Sequence, residues 1–292
     1  MAIFARKYKS YITLKNLITR ALTGAIFVIV LLFGICYHPY SFLITFCLVT
    51  GLAIWEFSSL FHSGHQSIPQ RILQIIMGIY LFTATFLYTQ NMYDKEIFLP
   101  YLLFILWIFI SELYLKEPDP VGNCGKIILA QLYCAGSFSL LNFFYAESFQ
   151  ISPQQSIPIY IISLFIFIWC NDTGAYLVGS NFGKHRLFER ISPLKSWEGF
   201  WGGLIFVLII SQIFALYIPI ITPLQWAGLA LTIVLFGTWG DLAESLLKRS
   251  LGLKDSGHIL PGHGGILDRF DSVILAIPAC YIYIELFISI RN

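Results

Sequence analysis

The chain alternates long apolar segments with short polar connections. Nine apolar stretches have about the 20-residue length that a helix needs to cross the hydrocarbon of a bilayer. They lie at Ala21–Tyr37, Ser41–Phe61, Ile72–Tyr88, Ile97–Leu115, Ile127–Tyr145, Ile159–Val178, Gly199–Ile220, Leu224–Leu247 and Val273–Ile290. The first and third are short, so either could be tilted or only partly spanning. The pattern predicts an all-α, polytopic integral membrane protein with about nine transmembrane helices in a single membrane domain over 1–292.

Composition favours the same class. Of the 292 residues, 57% are hydrophobic and only 12% are charged, whereas about 25% of residues are charged in an average soluble domain. Such a chain cannot cover itself with polar surface, which excludes an ordinary soluble enzyme. The first apolar stretch has no small-residue cleavage site, so it is interpreted as a spanning helix and not as a signal peptide. The six cysteines show no metal-type spacing.

The distribution of Lys and Arg predicts the orientation. If the N-terminus lies inside, 16 of the 18 basic residues fall in inner segments, and only Lys95 and Arg291 fall outside. The positive-inside rule then places the N-terminus in the cytoplasm. In a bacterium this would be a protein of the inner (plasma) membrane.

The two halves differ in their chemistry. The first, 1–156, carries few polar residues in its spans. Glu56 is one of them, and three interpretations stay open for it: a functional acid, an acid paired with a neighbouring helix, or one near the inner interface. The second half, 157–292, holds nine of the 16 acids. Asp172 lies deep in the sixth apolar run, and an acid there indicates function more often than a purely structural carboxylate.

Charge and glycine concentrate between Asp241 and Asp271, at a predicted membrane boundary. Two helical faces repeat polar residues at i, i+3 and i+4: Asp241, Glu244, Ser245 and Lys248 on the eighth span, and Asp268, Asp271 and Ser272 on the ninth. Facing carboxylates without a Cys or His cage favour hard cations such as Mg²⁺. The nearby cations, which are Lys248, Arg249, Lys254 and Arg269, suit phosphate chemistry. His263 could be a general base, a hydrogen-bond donor to a phosphate or a structural loop histidine.

Several of these runs resemble one family. The stretch Ser245–Asp271, with its Pro261-Gly-His-Gly-Gly265 turn, resembles the signature of the phosphatidate cytidylyltransferases (CDP-diacylglycerol synthases) essentially throughout. Asp172–Tyr176, Phe182–His185 and Ser192–Gly199 are also similar to that family. Ser196 is a small departure, since many relatives carry Thr there, but the hydroxyl is kept.

The resemblance implies a reaction in which CTP and phosphatidate give CDP-diacylglycerol and pyrophosphate. It implies that Asp241 and Asp268 hold Mg²⁺, paired with a monovalent cation such as K⁺, at a site facing the cytoplasm. The expected catalytic residues are Lys248, Arg249, Lys254, Asp255, His263, Arg269, Asp271 and Asp172. The residues expected to bind the nucleotide are Gly262, Gly264, Gly265, Ser245, Lys184 and Lys195. Helices within 1–156 would supply a scaffold, lipid access or the contact of a homodimer; nucleic acid is not an expected partner.

Two rival functions share part of this pattern. A CTP-dependent polyprenol or dolichol kinase would use the same acids and cations but would transfer the γ-phosphoryl group. An ion-coupled transporter would use the intramembrane acids as an ion pathway, but it needs no loop of glycines and cations. The sequence contains no Walker A motif, which argues against a P-loop NTPase.

Overall fold

The computed structural model describes residues 22–61, 68–115, 119–151, 157–253, 256–257 and 264–289. The described residues form helices α1 (Leu22–Cys36), α2 (Pro39–Leu60), α3 (Ile68–Thr89), α4 (Leu99–Glu112), α5 (Pro120–Ala130), α6 (Ser137–Ile151), α7 (Ile159–Phe182), α8 (Trp197–Tyr217), α9 (Pro223–Ser250) and α10 (Leu267–Phe287). One short 3-10 turn, Lys95–Phe98, precedes α4. The all-α, polytopic fold class is thereby confirmed.

Seven helices within the described residues are long and apolar enough to cross a membrane, with α5 and α6 counted as one continuous helix, Pro120–Phe149. The predicted first and fourth spans correspond to α1 and α4, which are shorter; α4 has 14 residues. The expectation of a short third span is wrong, because α3 has 22 residues and begins at Ile68. Arg71 is accommodated there, since its guanidinium lies 4.1 Å from the centre of the Trp55 ring and donates to Trp55 O at 3.2 Å.

A π-helical turn joins α5 to α6 and inserts extra backbone into an otherwise regular helix. It spans Gln131–Gly136. The side chain of Gln131 donates to Gln74 O at 2.9 Å and accepts from the Tyr101 hydroxyl at 3.2 Å. Neighbouring helices therefore supply the hydrogen bonds of this buried side-chain amide, in a region where no water is available to form them.

Aromatic side chains connect the two halves of the chain. Phe270, near the start of α10, makes edge-on contacts with Phe27 of α1, Phe138 of α6 and Phe165 of α7, with ring centroids 5.7, 5.4 and 6.2 Å apart. Phe270 is fully buried. Because Asp268 and Asp271 flank this anchored ring, the packing fixes the direction in which the first turn of α10 presents its acids.

Helices α7 and α8 approach closely along small residues. Gly174 lies against Gly203, and Gly179 lies against Gly199, so that a Cβ at Gly174 would be 3.1 Å from Gly203 Cα and one at Gly179 would be 3.4 Å from Gly199 Cα. Small residues four apart are the usual means of bringing helix backbones together in a membrane. This contact sets the spacing of the two helices that carry the next element.

A β-hairpin connects α7 to α8. Strands β1 (Arg186–Phe188) and β2 (Ser192–Ser196) pair antiparallel, with Arg186 opposite Ser196 and Phe188 opposite Ser192. The sequence indicated only a loop here. Since α7 and α9 run toward the same end of the bundle and α8 and α10 run away from it, the hairpin and the connection between α9 and α10 lie at one end.

Candidate active site

The last turns of α9 carry a polar face on an otherwise apolar helix. Within this 28-residue helix, Asp241 lies about 27 Å from Pro223 at 1.5 Å per residue, close to the thickness of the hydrocarbon. Ser245 Oγ donates to Asp241 Oδ1 at 3.3 Å, and Lys248 Nζ donates to Glu244 Oε2 at 3.0 Å. These four side chains share one face, as their spacing predicts.

Asp268 is the most extensively bonded carboxylate of this cluster. Its Oδ1 accepts from Lys248 Nζ at 2.7 Å, and its Oδ2 accepts from the Gly265 amide at 2.8 Å. The Ser256 amide also donates to it, at 3.1 and 3.2 Å. Gly264 has φ +81°, a backbone conformation that favours glycine, and a Cβ there would collide with the same carboxylate. We call the segment between α9 and α10, residues 251–266, the glycine-rich connection. Its described ends therefore contact Asp268.

Two lysines bridge elements that are distant in sequence. Lys195 Nζ, on β2, lies 2.5 Å from Asp241 Oδ2 on α9. Lys248, only 11% exposed at its side chain, pairs with both Glu244 and Asp268. Removing one partner of a shielded pair leaves the other charge uncompensated, which is costly. These pairs join the hairpin, α9 and α10 into one charged unit.

One cavity of about 410 Å³ opens beside the acids, between α1, α7 and α10. We call it the α1 cavity. Its polar wall is formed by Asp172, Asp241, Asp268, Arg269, Asp271 and Ser272, and its apolar wall includes Phe27, Val28, Ile168 and Trp169. Carboxylates and a guanidinium therefore face a surface suited to hydrocarbon across a single space.

A second cavity, of about 500 Å³, lies under the hairpin between α7 and α8. We call it the hairpin cavity. Arg186, Lys195 and Ser196 contribute cationic and hydroxyl groups, and Gly179 and Gly183 leave backbone accessible. Asp172, Asp241 and Ser272 line both cavities. The two spaces therefore adjoin at these three residues.

The structure brings most of the predicted site residues into this region. Asp172, Asp241, Asp268, Arg269 and Asp271 line the α1 cavity, Lys195 lines the hairpin cavity, and Ser245, Lys248, Gly264 and Gly265 contact the acids directly or adjoin a residue that does. Asp271 Oδ1 accepts from the Ser272 amide at 2.6 Å.

Two predicted cations lie elsewhere among the described residues. Arg249 donates to Leu253 O at 3.2 Å, and the backbone amide of Lys184 donates to Glu198 Oε2 at 3.1 Å. Both side chains are exposed, and neither lines the two cavities. Arg249 lies in the last turn of α9, one position beyond Lys248, and is therefore off the face that carries the acids. Lys184 follows the end of α7, where its direction depends on a local turn that sequence does not determine. The remaining predicted residues, Lys254, Asp255, Gly262 and His263, lie outside the described residues.

Four contributors were not assigned to the site from sequence. Phe27 and Val28 of α1 form a cavity wall, but an apolar residue in an apolar helix carries no distinguishing signal. Arg186 lines the hairpin cavity, and its cationic loop offered only a weak signal. Glu56 was noted as an acid within a span, and the structure places it against the amide of Leu267 at 2.9 Å.

The oxygen-rich lining bears on metal binding. Asp172, Asp241, Asp268 and Asp271 are the carboxylates that line the α1 cavity. Within the described part of the chain, no three His, Cys, Asp or Glu side chains form a ready-made metal cage. Mg²⁺ usually takes only one or two carboxylates together with substrate phosphates and waters, so this donor set matches its preference in type.

Comparison with known proteins identifies the family. Residues 18–287 match the model of the cytidylyltransferase family. The chain is 34% identical over 271 residues to the phosphatidate cytidylyltransferase of Bacillus subtilis, covering 92% of this chain and 97% of that protein. It is 51% identical over 121 residues to the phosphatidate cytidylyltransferases of Staphylococcus saprophyticus and Staphylococcus aureus strain COL, covering 41% of this chain and 46% of each relative. The chain belongs to the cytidylyltransferase family.

Proposed function

We propose that this membrane protein is a phosphatidate cytidylyltransferase, which transfers CMP from CTP to phosphatidate and forms CDP-diacylglycerol and pyrophosphate. The observation that carries the proposal is that Asp241 and Asp268, which are 27 positions apart, line one cavity together with Arg269 and opposite an apolar wall. Membership of the family and the names of its relatives support the same reaction.

The two cavities suit two different substrates. The α1 cavity combines Arg269 with Phe27, Val28, Ile168 and Trp169, which suits a lipid phosphate with its glycerol and the start of its acyl chains. The hairpin cavity, with cations and accessible glycine backbone, suits the triphosphate of CTP. In this proposal the reacting phosphates meet at Asp172, Asp241 and Ser272, where the cavities adjoin.

The reaction itself is an in-line displacement. An oxygen of the phosphatidate phosphate attacks the α-phosphorus of CTP, a new P–O bond forms, and the bond between the α-phosphorus and the bridging oxygen breaks as pyrophosphate leaves. Lys195, Lys248 and Arg269 place positive charge beside the acids and so offset the repulsion of two anionic substrates. Such fixed charges need no reorganisation as the reaction proceeds, which is where electrostatic catalysis gains most.

Asp241 and Asp268 would hold Mg²⁺, with K⁺ as a second cation. Asp241 already forms an ion pair with the ammonium of Lys195, and Asp268 forms one with the ammonium of Lys248. Glu244 Oε1 is buried without a hydrogen-bond partner among the described residues. The cluster therefore has oxygen positions that accommodate positive charge. When bound, the metal would neutralise phosphate charge and orient the two substrates.

The products of a single assay separate this function from its rivals. Purified protein is incubated with phosphatidate, Mg²⁺ and CTP labelled at the α-phosphate or, in parallel, at the γ-phosphate. We expect α-label in the lipid and γ-label in pyrophosphate. Transfer of γ-label to an isoprenoid lipid acceptor offered in parallel, with release of CDP, would contradict the proposal and indicate a lipid kinase. Absence of any CTP-dependent product would contradict it and leave a transporter.

A further inference from the structure

Glu56 forms a contact between the first half of the chain and the glycine-rich connection. It lies on α2, and only 3% of the residue is exposed. Its Oε2 accepts from the backbone amide of Leu267 at 2.9 Å and lies 3.5 Å from the Ser256 hydroxyl. The Leu267 amide belongs to the first turn of α10, where backbone donors have no partner within the helix. Glu56 therefore satisfies a helix end from 211 positions away.

Two glycines allow the backbone to approach this carboxylate. A Cβ at Gly257 would lie 2.6 Å from Glu56 Oε1, and one at Gly265 would collide with Glu56 Oε2. Both glycines belong to the ends of the same connection, one just after Ser256 and one just before the start of α10. The two described ends of the connection therefore pack against Glu56.

The segments that contact Glu56 also hold Asp268. The Ser256 hydroxyl faces Glu56 while the Ser256 amide donates to Asp268. The Gly265 amide donates to Asp268, and Leu267 directly precedes it. Glu56 itself lines neither the α1 cavity nor the hairpin cavity. Glu56 therefore contacts the backbone segments that bind Asp268 and does not face the space proposed for a substrate.

We propose that Glu56 is a positioning residue, which holds Ser256 and the first turn of α10 so that their backbone amides keep the Asp268 carboxylate in place. The proposal rests on the function proposed above, in which Asp268 holds the metal. What Glu56 supplies is a hydrogen-bond acceptor at a fixed position. A side chain of the same length should replace it better than one of the same charge.

Three variants distinguish acceptor position from charge. Glu56→Gln keeps the length and an acceptor oxygen, Glu56→Asp keeps the charge but shortens the side chain, and Glu56→Ala removes both. Hydrogen exchange of the Leu267 amide is measured by mass spectrometry on protein in nanodiscs, with EDTA and without CTP. We expect exchange about tenfold faster in Glu56→Asp and Glu56→Ala, the factor that corresponds to one lost hydrogen bond, and a much smaller change in Glu56→Gln.

A matched control comes from the same half of the chain. Glu112 ends α4, and its carboxylate accepts from the Asn123 side chain of α5. Glu112→Asp should leave exchange at Leu267 unchanged, because this acid contacts a different pair of helices. If Glu56→Ala yields no folded protein, the comparison of Glu56→Asp with Glu56→Gln still decides the question.

Kinetics supply the second measurement. The Mg²⁺ concentration that gives half-maximal cytidylyl transfer should rise about tenfold in Glu56→Asp, and the KM for phosphatidate should change less than twofold, because only the support of Asp268 is lost. A merely structural role would lower the amount of active enzyme without moving the Mg²⁺ requirement.

The outcomes separate the two proposals. The positioning role would be overturned if the Leu267 amide exchanged as fast in Glu56→Gln as in Glu56→Asp, or if its exchange changed in no variant. An unchanged Mg²⁺ requirement in Glu56→Asp would also overturn it. The expected exchange pattern in a protein that makes no CDP-diacylglycerol would overturn the proposed function and leave the Glu56 contact standing.

Discussion

At the scale of single residues, each of the two proposed metal ligands is paired with a lysine. Asp241 faces Lys195, and Asp268 shares Lys248 with Glu244. An anionic substrate entering this cluster can draw the lysines toward its phosphates, which would free carboxylate oxygens for a metal. The ion pairs therefore suit a site that exchanges partners when its ligands arrive.

Neutralising either acid tests this arrangement. We expect Asp241→Asn and Asp268→Asn to lower kcat about 100-fold or more, since the charge that would hold the metal is lost while the shape is kept. Turnover with labelled CTP in detergent is the measurement. Glu189→Gln, at the exposed turn of the hairpin, is the matched acid-to-amide control and should keep near-normal turnover. Normal turnover in either aspartate variant would contradict the proposal that Asp241 and Asp268 together hold the metal.

At the scale of elements, the spacing of α7 and α8 depends on their glycines. A Cβ at Gly203 would lie 2.8 Å from Asn171 O, a backbone atom that cannot move without shifting α7. Because α7 carries Asp172 and both helices line the hairpin cavity, a change in this spacing would reach the site.

A pair of glycine substitutions tests the close approach. Gly203→Ala should destabilise the protein by about 1–3 kcal/mol through overpacking and lower its thermal unfolding midpoint in detergent. Gly125→Ala, on α5, places its Cβ in open space and should leave that midpoint unchanged or raise it, since alanine favours a helix by up to about 1 kcal/mol. Equal midpoints for the two variants would argue against packing as the reason for Gly203.

At the scale of the whole molecule, the connections that contact the acids of the site lie at one end of the bundle. The hairpin and both described ends of the glycine-rich connection lie there, whereas the link between α3 and α4 lies at the other. The excess of Lys and Arg predicts that the hairpin end faces the cytoplasm. The separation of 1–156 as a scaffold and the homodimer stay predictions, although the Glu56 contact shows that the two halves pack against each other at the site.

Cysteine accessibility tests this orientation. Single cysteines are introduced at Arg190, exposed on the hairpin turn, and at Asp94, exposed between α3 and α4. A membrane-impermeant maleimide added to intact cells should label Asp94→Cys and should label Arg190→Cys only after the membrane is opened, with labelling of the parent protein subtracted. The reverse pattern would place the proposed active site on the outer face.

Local patterns in the chain were enough to predict the membrane-spanning helical class, the approximate position of most helices, and the acids and cations of α9 and α10. It could do so because these features depend on local hydropathy and on spacing within one helix. Ser245 on Asp241 and Lys248 on Glu244 are contacts of this kind.

Which distant groups contact each other depends on how the helices pack. Lys195 reaches Asp241, Glu56 holds Leu267, and Phe27 closes the α1 cavity, because helix packing brings together positions that lie 46, 211 and more than 200 places apart. No local pattern encodes such pairs, since each depends on the rotation and depth of a helix against its neighbours. The acids and cations of the site could therefore be predicted from the sequence. Their distant bonding partners and the walls of the cavities could be identified only in the folded structure.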